Sequence, residues 1–210
     1  INPAVTLGFA FAGEFPWADV VPYMIAQVLG GMLGALLVWL HFMPHFKAEE
    51  DEGTKLSVYA TGAVYPNYVA NFASEMIGTF ILVMGLLFIG ANDFTEGLNP
   101  LIVGFLITAI GLSLGGTTGY AINPARDLGP RLAHFLMPIP GKGGSNWKYA
   151  PVPILGPLSG GAFGAAVYNS VFLSAPDIYL LAAVVFVIAV LILGVFLNKT
   201  ILKENTSKLM

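Results

Sequence analysis

Long stretches without charged residues dominate the chain and predict helices that cross a membrane. A helix advances about 1.5 Å per residue, so about 20 apolar residues span the roughly 30 Å of hydrocarbon in a bilayer. The pattern predicts five such spans, at about residues 18–41, 70–91, 99–116, 150–172 and 178–197. Segment 42–69 mixes charged residues with glycine, proline and asparagine, so we expect an external loop there.

Glycines recur at four-residue spacing inside these spans. Small residues on one face of a helix let two helix backbones approach closely in a membrane. We therefore expect close helix packing at three sets of glycines: Gly30 and Gly34, Gly111 and Gly115, and Gly156, Gly160 and Gly164.

Two further apolar segments, 3–13 and 124–136, are too short to cross a bilayer. Each begins with Asn-Pro, and asparagine is a favoured N-cap while proline suits the first helical position. A helix of about ten residues crosses only about half of the hydrocarbon. Its free N–H groups would then end at the midplane, where backbone is tolerated only inside protein or beside a water-filled cavity. We expect both segments to line such a cavity.

The two short segments begin with the same residues, Ile1-Asn2-Pro3-Ala4 and Ile122-Asn123-Pro124-Ala125. A repeat with broken helices points to a site at the bilayer midplane between the repeats. Three predicted spans separate the copies, and an odd number of crossings places them at opposite faces. We therefore predict that the two half-helices enter from opposite sides and meet at their N-termini.

Composition excludes several classes of function. The chain of 210 residues is 56% hydrophobic and only 10% charged, whereas soluble domains carry roughly 25% charged residues. Its net charge of −3 and the lack of a basic stripe argue against nucleic acid as a partner. The chain has no cysteine, and His41 and His45, four residues apart with no carboxylate between them, predict neither a metal site nor a cofactor.

The paired Asn-Pro-Ala sequences resemble the aquaporin superfamily of major intrinsic proteins. The resemblance covers roughly residues 1–172 and implies an all-α membrane protein, a right-handed helical bundle with two re-entrant half-helices. The second motif continues with Arg126 and Asp127 and then with Arg131, which is the form seen in glycerol facilitators. The resemblance therefore implies a passive channel for glycerol and similar small uncharged solutes, with water.

Charge and resemblance together predict the pore residues. Two helix N-termini facing one point place about +0.5 charge each there, which repels cations but not neutral solutes. The side-chain amides of Asn2 and Asn123 can cap their helices and donate to a solute. By resemblance, Arg126 is the arginine of the selectivity filter, with Gly111 and Tyr120 at the constriction, where water channels carry histidine at the position of Gly111.

The resemblance also implies which groups support the pore. The backbone carbonyls of Gly119, Tyr120 and Ala121 would form a ladder of acceptors along it. Glu75, within span 70–91, would accept the N–H groups of the re-entrant loop. We expect Gln27 and Asp127 to give structural support in the same way.

Repeat symmetry predicts two more spans before Ile1, so we expect this sequence to lack the first two helices of the family fold. We expect residues 1–172 to form the channel domain and 173–210 to form an extra apolar helix with a basic tail. The lysines of that tail favour the cytoplasm by the positive-inside rule, whereas the family topology would send it outside. Three roles are therefore compatible with segment 178–197: a further span, an interfacial helix or a contact for a partner.

We weighed two alternatives to a glycerol channel. A water-selective channel predicts histidine where Gly111 stands. A membrane enzyme or coupled transporter needs titratable groups that converge in the membrane, and Glu75 is essentially the one carboxylate predicted there. We also expect, by resemblance, a homotetramer embedded in the lipid bilayer of a bacterial plasma membrane.

Overall fold

A computed structural model describes residues 1–95, 97–174 and 178–207, with side chains described to residue 200. Within these ranges the regular elements are helices, and a 3₁₀ turn, Gly115–Thr117, follows the sixth of them. The helices are α1 (Pro3–Ala12), α2 (Trp17–His41), α3 (Met43–Ala48), α4 (Glu52–Ser57), α5 (Tyr68–Gly90), α6 (Leu98–Leu114), α7 (Pro124–Leu136), α8 (Pro151–Phe172) and α9 (Ile178–Ser207).

The two short segments and the five long ones predicted from the pattern are all helices. The half-helices are α1 and α7, and the long segments are α2, α5, α6, α8 and α9. Most ends lie within two residues of the prediction, but α9 continues to Ser207 rather than ending at 197. The all-helical prediction is thereby confirmed for the described residues.

The segment predicted as a loop, 42–69, is partly helical, so that prediction was wrong in detail. It contains α3 and α4, and its last residues already belong to α5. Proline occupies the first turn of α3, and the Asp51 side chain caps α4 by accepting the N–H of Thr54 at 2.5 Å. The proline and the Asp51 cap thus each start a short helix within this segment.

Four described helices are long and apolar enough to cross a membrane: α2, α5, α6 with its 3₁₀ turn, and α9. Helix α8 has 22 residues, which is sufficient length, but its many glycines, prolines and serines keep it below that apolarity. Residues along most of α8 are buried inside the bundle. Because its faces contact protein rather than lipid, α8 does not need the hydropathy of a lipid-facing helix.

Glycines set the closest helix contact, which joins α8 to α5. A Cβ placed at Gly160 would lie 2.2 Å from the carbonyl oxygen of Met76, and one at Gly164 would lie 2.7 Å from that of Phe80. Gly156 is equally tight against the Cβ of Glu75, at 2.8 Å. The prediction of close packing holds for this set of glycines.

On α2 the predicted packing glycines meet no partner within the described chain. A Cβ at Gly30 or Gly34 would meet no atom within 4 Å there. The residue between them, Gly31, makes a close contact, and its Cβ would lie 2.7 Å from the carbonyl oxygen of Ala125 in α7. Packing of Gly30 and Gly34 against a further helix stays a prediction.

Candidate functional site

The N-termini of the half-helices α1 and α7 meet in the middle of the molecule. The side-chain amide of Asn2 donates to the carbonyl of Ile122 at 3.0 Å, and that of Asn123 donates to the carbonyl of Ile1 at 2.7 Å. Each asparagine therefore binds the residue that precedes the other asparagine.

Both asparagines also cap their own helices in the same conformation. Their φ angles are −155° and −159°, and each Oδ1 accepts a backbone N–H from the first turn. The distance is 3.0 Å from the N–H of Ala4 to Asn2 and 3.0 Å from that of Ala125 to Asn123. Since an amide carries two N–H donors and the carbonyl across the junction uses one, each asparagine keeps a second donor for another acceptor.

Two glycines on the long helices hold the first turns of the half-helices in equivalent places. The carbonyl oxygen of Ala4 lies 2.6 Å from where a Cβ of Gly161 would be, and that of Ala125 lies 2.7 Å from where a Cβ of Gly31 would be. Any side chain at Gly161 in α8 or Gly31 in α2 would displace one half-helix.

The segment leading into Asn123 has an unusual backbone. Gly119, Tyr120 and Ile122 have φ angles of 82°, 60° and 41°, and such values are costly for a β-branched residue. The carbonyl oxygens of Gly119, Tyr120 and Ala121 accept no hydrogen bond from the described residues. Gly119 is exposed and Tyr120 is half-buried, whereas Ala121 is buried.

The carboxylate of Glu75 holds this strained segment. It is buried, and it accepts the N–H of Ala121 at 3.1 Å, the N–H of Ile122 at 2.6 Å and the hydroxyl of Thr118 at 2.5 Å. Two backbone donors are thus drawn to one side, which offsets part of the backbone strain. Thr118 was not identified from the sequence.

Arg126 lines a cavity of about 380 Å³ beside the meeting point of the half-helices. Its neighbours there include Ile1, Asn123 and Tyr59. Its side chain is exposed, and its guanidinium has no hydrogen-bond partner in the ranges that the structure describes. The free donors of a guanidinium and of an asparagine therefore border one wet space.

Asp127 lies away from this cavity and pairs with Arg131. The Arg131 Nε donates to Asp127 Oδ1 at 2.7 Å, and both side chains are fully buried. Asp127 also accepts the N–H and the hydroxyl of Thr61, at 2.7 and 2.6 Å. Arg131 donates further to the carbonyls of Ser145 and Asn146, at 2.8 and 2.9 Å. The pair thus joins α7 to two loops.

The sequence pattern did not predict that Arg131 joins α7 to two loops, nor that two lysines donate to backbone carbonyls nearby. Lys142 donates to three carbonyls at the end of α7, and the buried Lys55 donates to Pro140 and Gly141 at 2.7 and 3.1 Å. A lysine close to a helix C-terminus often donates to the last carbonyls, and this is the signal in the sequence for the contacts of Lys142. Desolvation lowers the pKa of Lys142, and burial raises the pKa of Tyr59 in the neighbouring loop to about 12.

Gly111 lies beneath the ring of Tyr120. A Cβ at Gly111 would be 3.1 Å from two atoms of that ring, and a Cβ at Gly115 would be 3.1 Å from the Cβ of Tyr120. The Tyr120 hydroxyl donates to the carbonyl of Ile107 on α6. The missing side chain at Gly111 therefore makes room for the tyrosine ring, which α6 holds by its hydroxyl.

Gln27 supports the first half-helix. Its amide donates to the hydroxyl of Thr6 at 2.9 Å, and Thr6 in turn donates to the carbonyl of Asn2 at 3.3 Å. The Oε1 of Gln27 is buried and has no partner in the described ranges. Within the described residues the support for α1 is neutral, whereas Glu75 gives the segment before α7 a carboxylate acceptor.

Comparison with known proteins agrees with this arrangement. The family model for major intrinsic proteins matches residues 1–168. The chain is 62% identical over 172 residues to a glycerol uptake facilitator protein of Bacillus subtilis, and the match covers 82% of this chain and 63% of that protein. A probable glycerol uptake facilitator protein of Thermotoga maritima is 58% identical over 172 residues, covering 82% of this chain and 74% of that protein.

A solved structure is similar as well. The X-ray structure of the aquaglyceroporin from Plasmodium falciparum matches with a TM-score of 0.68 and 25% sequence identity, over 82% of this chain and 72% of that one. This chain spans less than two thirds of the length of the Bacillus relative. Its apolar helices and its relatives identify a multi-pass membrane protein with bacterial kin. The chain belongs to the major intrinsic protein family.

Proposed function

We propose that this protein is a passive channel for glycerol and similar small uncharged solutes, with water, and that it excludes ions and protons. The observation that carries the proposal is the junction of α1 and α7, where two capped N-termini face each other. Beside that junction lies a cavity lined by Asn123 and the unpaired Arg126.

Ion exclusion follows from the charge at the junction. Each helix N-terminus carries about half a positive charge, so two of them disfavour a cation or hydronium at the same point. A neutral hydroxyl meets no such barrier, and it can accept a hydrogen bond from the second N–H of Asn2 or Asn123. The carbonyls of Gly119 and Tyr120, which accept no hydrogen bond from the described residues, offer acceptors for the hydroxyl hydrogen.

Three observations favour glycerol over water alone. Gly111 stands where a water-selective channel would carry histidine, and the Tyr120 ring that packs over Gly111 offers an apolar wall. The guanidinium of Arg126 supplies hydrogen-bond donors. The apolar ring and these donors together suit a molecule with one polar and one apolar edge. The Bacillus and Thermotoga relatives are named as glycerol facilitators, and the family consists of channels rather than enzymes.

The remaining roles belong to the same proposal. Arg126 and Tyr120 form the selectivity filter, with Gly111 providing the space for the ring. Glu75, Gln27 and Asp127 position the half-helices, and residues 1–172 form the part of the channel domain that this sequence contains. We further propose a homotetramer in a bacterial plasma membrane, surrounded by lipid, with glycerol, other small polyols and water as the molecules that pass.

The test is shrinking and swelling of proteoliposomes, followed by stopped-flow light scattering. After a glycerol gradient is applied, we expect fast shrinkage and then fast reswelling as glycerol enters. Reswelling no faster than in empty liposomes, with fast water flux, would favour the water-selective alternative. A proton leak measured with a pH dye inside the same vesicles would contradict the exclusion of protons.

Variants of two aligned positions separate the filter from the scaffold. Arg126→Ala removes the unpaired guanidinium, so we expect weaker discrimination between glycerol and larger polyols, with the protein still folded. Val5→Ala changes the equivalent position in α1 and is the matched control, for which we expect unchanged discrimination. Equal effects of the two variants would remove Arg126 from the proposed filter.

A further inference from the structure

Helix α9 lies beyond the residues that match the family model, which end at 168. Its apolar part, Ile178–Thr200, has 23 residues and is the most hydropathic of the four candidate spans. No charged residue occurs from 178 to 198, and Lys199 follows directly. Twenty-three helical residues extend about 34 Å, which is enough to cross the hydrocarbon of a bilayer.

One face of α9 packs into the surface formed by α5 and α8. Val190 is buried in a cluster with Phe72 of α5 and Val152 of α8. Gly194 is buried as well, and a Cβ there would lie 3.2 Å from the Cα of Val69. The close approach at Gly194 identifies a fitted helix contact rather than loose apposition.

A polar contact holds the last turns of the apolar part. Asn198 accepts the backbone N–H of Tyr68 at 2.7 Å, and its own amide donates to the side chain of Asn67 at 3.1 Å. Asn67 is the N-cap of α5 and accepts the N–H of Ala70. Helix α9 therefore satisfies a donor that the start of α5 would otherwise leave without a helical partner.

The other end of α9 lies at the opposite end of the bundle. The ring of Tyr179 contacts that of Phe11, with centroids 5.9 Å apart. Asn169, near the end of α8, donates to the carbonyl of Phe11 at 3.3 Å. Helix α9 thus runs antiparallel to α5 and α8.

The outward face of α9 carries large apolar side chains at alternating spacings of three and four. They are all exposed and lie on one face of the helix: Leu181, Val185, Ile188, Ile192 and Val195. An apolar face of this kind, on a helix long enough to cross the hydrocarbon and followed by Lys199, matches a lipid environment.

We propose that α9 is an additional membrane-spanning helix of this protein, docked on α5 and α8, with lipid against its outer face. It returns the chain at Lys199 to the side of the molecule that carries segment 42–67. This inference does not depend on which solute passes, because transport plays no part in its test.

Labelling of single cysteines in intact cells with a membrane-impermeant maleimide tests the topology, since the natural chain has no cysteine. Val64→Cys marks the side of segment 42–67, and Asp93→Cys marks the opposite side, after α5. We expect Lys199→Cys to behave like Val64→Cys, and Ser174→Cys to behave like Asp93→Cys. If Lys199→Cys and Ser174→Cys both behave like Asp93→Cys, α9 lies along one surface and the proposal fails.

Cross-linking tests the docking. In the double variant Asn67→Cys, Asn198→Cys, a short bifunctional thiol reagent should join the two positions within one chain, which a gel shift after cleavage between α5 and α9 detects. The matched control pairs Asn67→Cys with Ile188→Cys, ten residues earlier and on the lipid face, and should give little product. Equal products, or none from the first pair, would overturn the docking.

Discussion

Half-helices α1 and α7 begin alike but differ after their first turn. Both start at Ile-Asn-Pro-Ala, with the asparagines in nearly the same conformation, and both rest on a glycine of a long helix. When the two asparagines are aligned, Val5 and Thr6 stand where α7 has Arg126 and Asp127. The two half-helices therefore share the conformation of their N-termini, but only α7 carries charged side chains.

The difference shows how one motif serves two tasks. Helix α1 ends after ten residues at Gly13, whose φ of 81° terminates it, and its support is the neutral Gln27. Helix α7 has 13 residues and carries a buried ion pair that reaches two loops. We infer that α1 mainly completes the junction, while α7 also fixes the structure on the side of segment 42–67.

The largest expected effect is at the buried ion pair. Asp127→Asn leaves Arg131 without a charged partner, which should lower the free energy of unfolding by about 3–5 kcal/mol. Thr6→Val at the aligned position of α1 removes neutral hydrogen bonds and should cost about 1 kcal/mol. Denaturation in mixed micelles with increasing dodecyl sulfate measures both. Equal losses would mean that the two half-helices are supported alike.

Glu75→Gln should have the next largest effect. Glutamine keeps one acceptor oxygen but turns an NH₂ group toward backbone donors, so one N–H of Ala121 or Ile122 loses its partner. We expect a loss of about 2–3 kcal/mol in the same unfolding assay. Glu14→Gln, a change of the same kind at an exposed residue, is the control and should have no measurable effect. Unchanged stability of Glu75→Gln would show that segment 119–122 keeps its conformation without the Glu75 carboxylate.

The support that the two half-helices have in common can be tested at the two glycines on which they pack. Gly31→Val and Gly161→Val each drive a side chain into a carbonyl of a half-helix, and overpacking of this kind costs about 2 kcal/mol. We expect similar losses from the two variants. Gly90→Val is the control, because no atom lies within 4 Å of its Cβ position in the described chain. A large difference between Gly31→Val and Gly161→Val would break the symmetry that the junction implies.

The smallest effect is expected at Gln27. Gln27→Met keeps the volume of the side chain but removes the donor to Thr6, and it also removes the buried oxygen that has no partner. These changes oppose each other, so the net loss should be at most about 1 kcal/mol. Its melting temperature should thus stay close to that of the unaltered protein. A loss as large as that of Glu75→Gln would contradict the view that α1 has the weaker support.

Local signals in the sequence predicted the helices and the junction. Asn2-Pro3 and Asn123-Pro124 specify caps through neighbouring residues alone, and the count of spans between them predicts that they face each other. Family resemblance directed attention to Glu75, and its carboxylate does receive two backbone N–H groups. The transport roles of these residues stay predictions.

Contacts between distant segments could not be predicted in the same way. Arg131 binds Thr61, Ser145 and Asn146, and no pattern in the sequence says which loops return to it. The fit of Tyr120 over Gly111 depends on a positive φ at a tyrosine, which propensity disfavours. For α9, the apolar pattern gives length and hydropathy, but both of its faces are apolar, so the docked one is not marked.

The reciprocal bonds of Asn2 and Asn123 have a mechanical consequence. Each amide donates to the carbonyl of the residue before the other asparagine. An outward movement of one half-helix would therefore break a hydrogen bond at both asparagines unless the other half-helix moved with it. In the proposed channel, the opening between the two half-helices should therefore keep a constant width. Adaptation to the shape of a solute would then come from other side chains, such as that of Arg126.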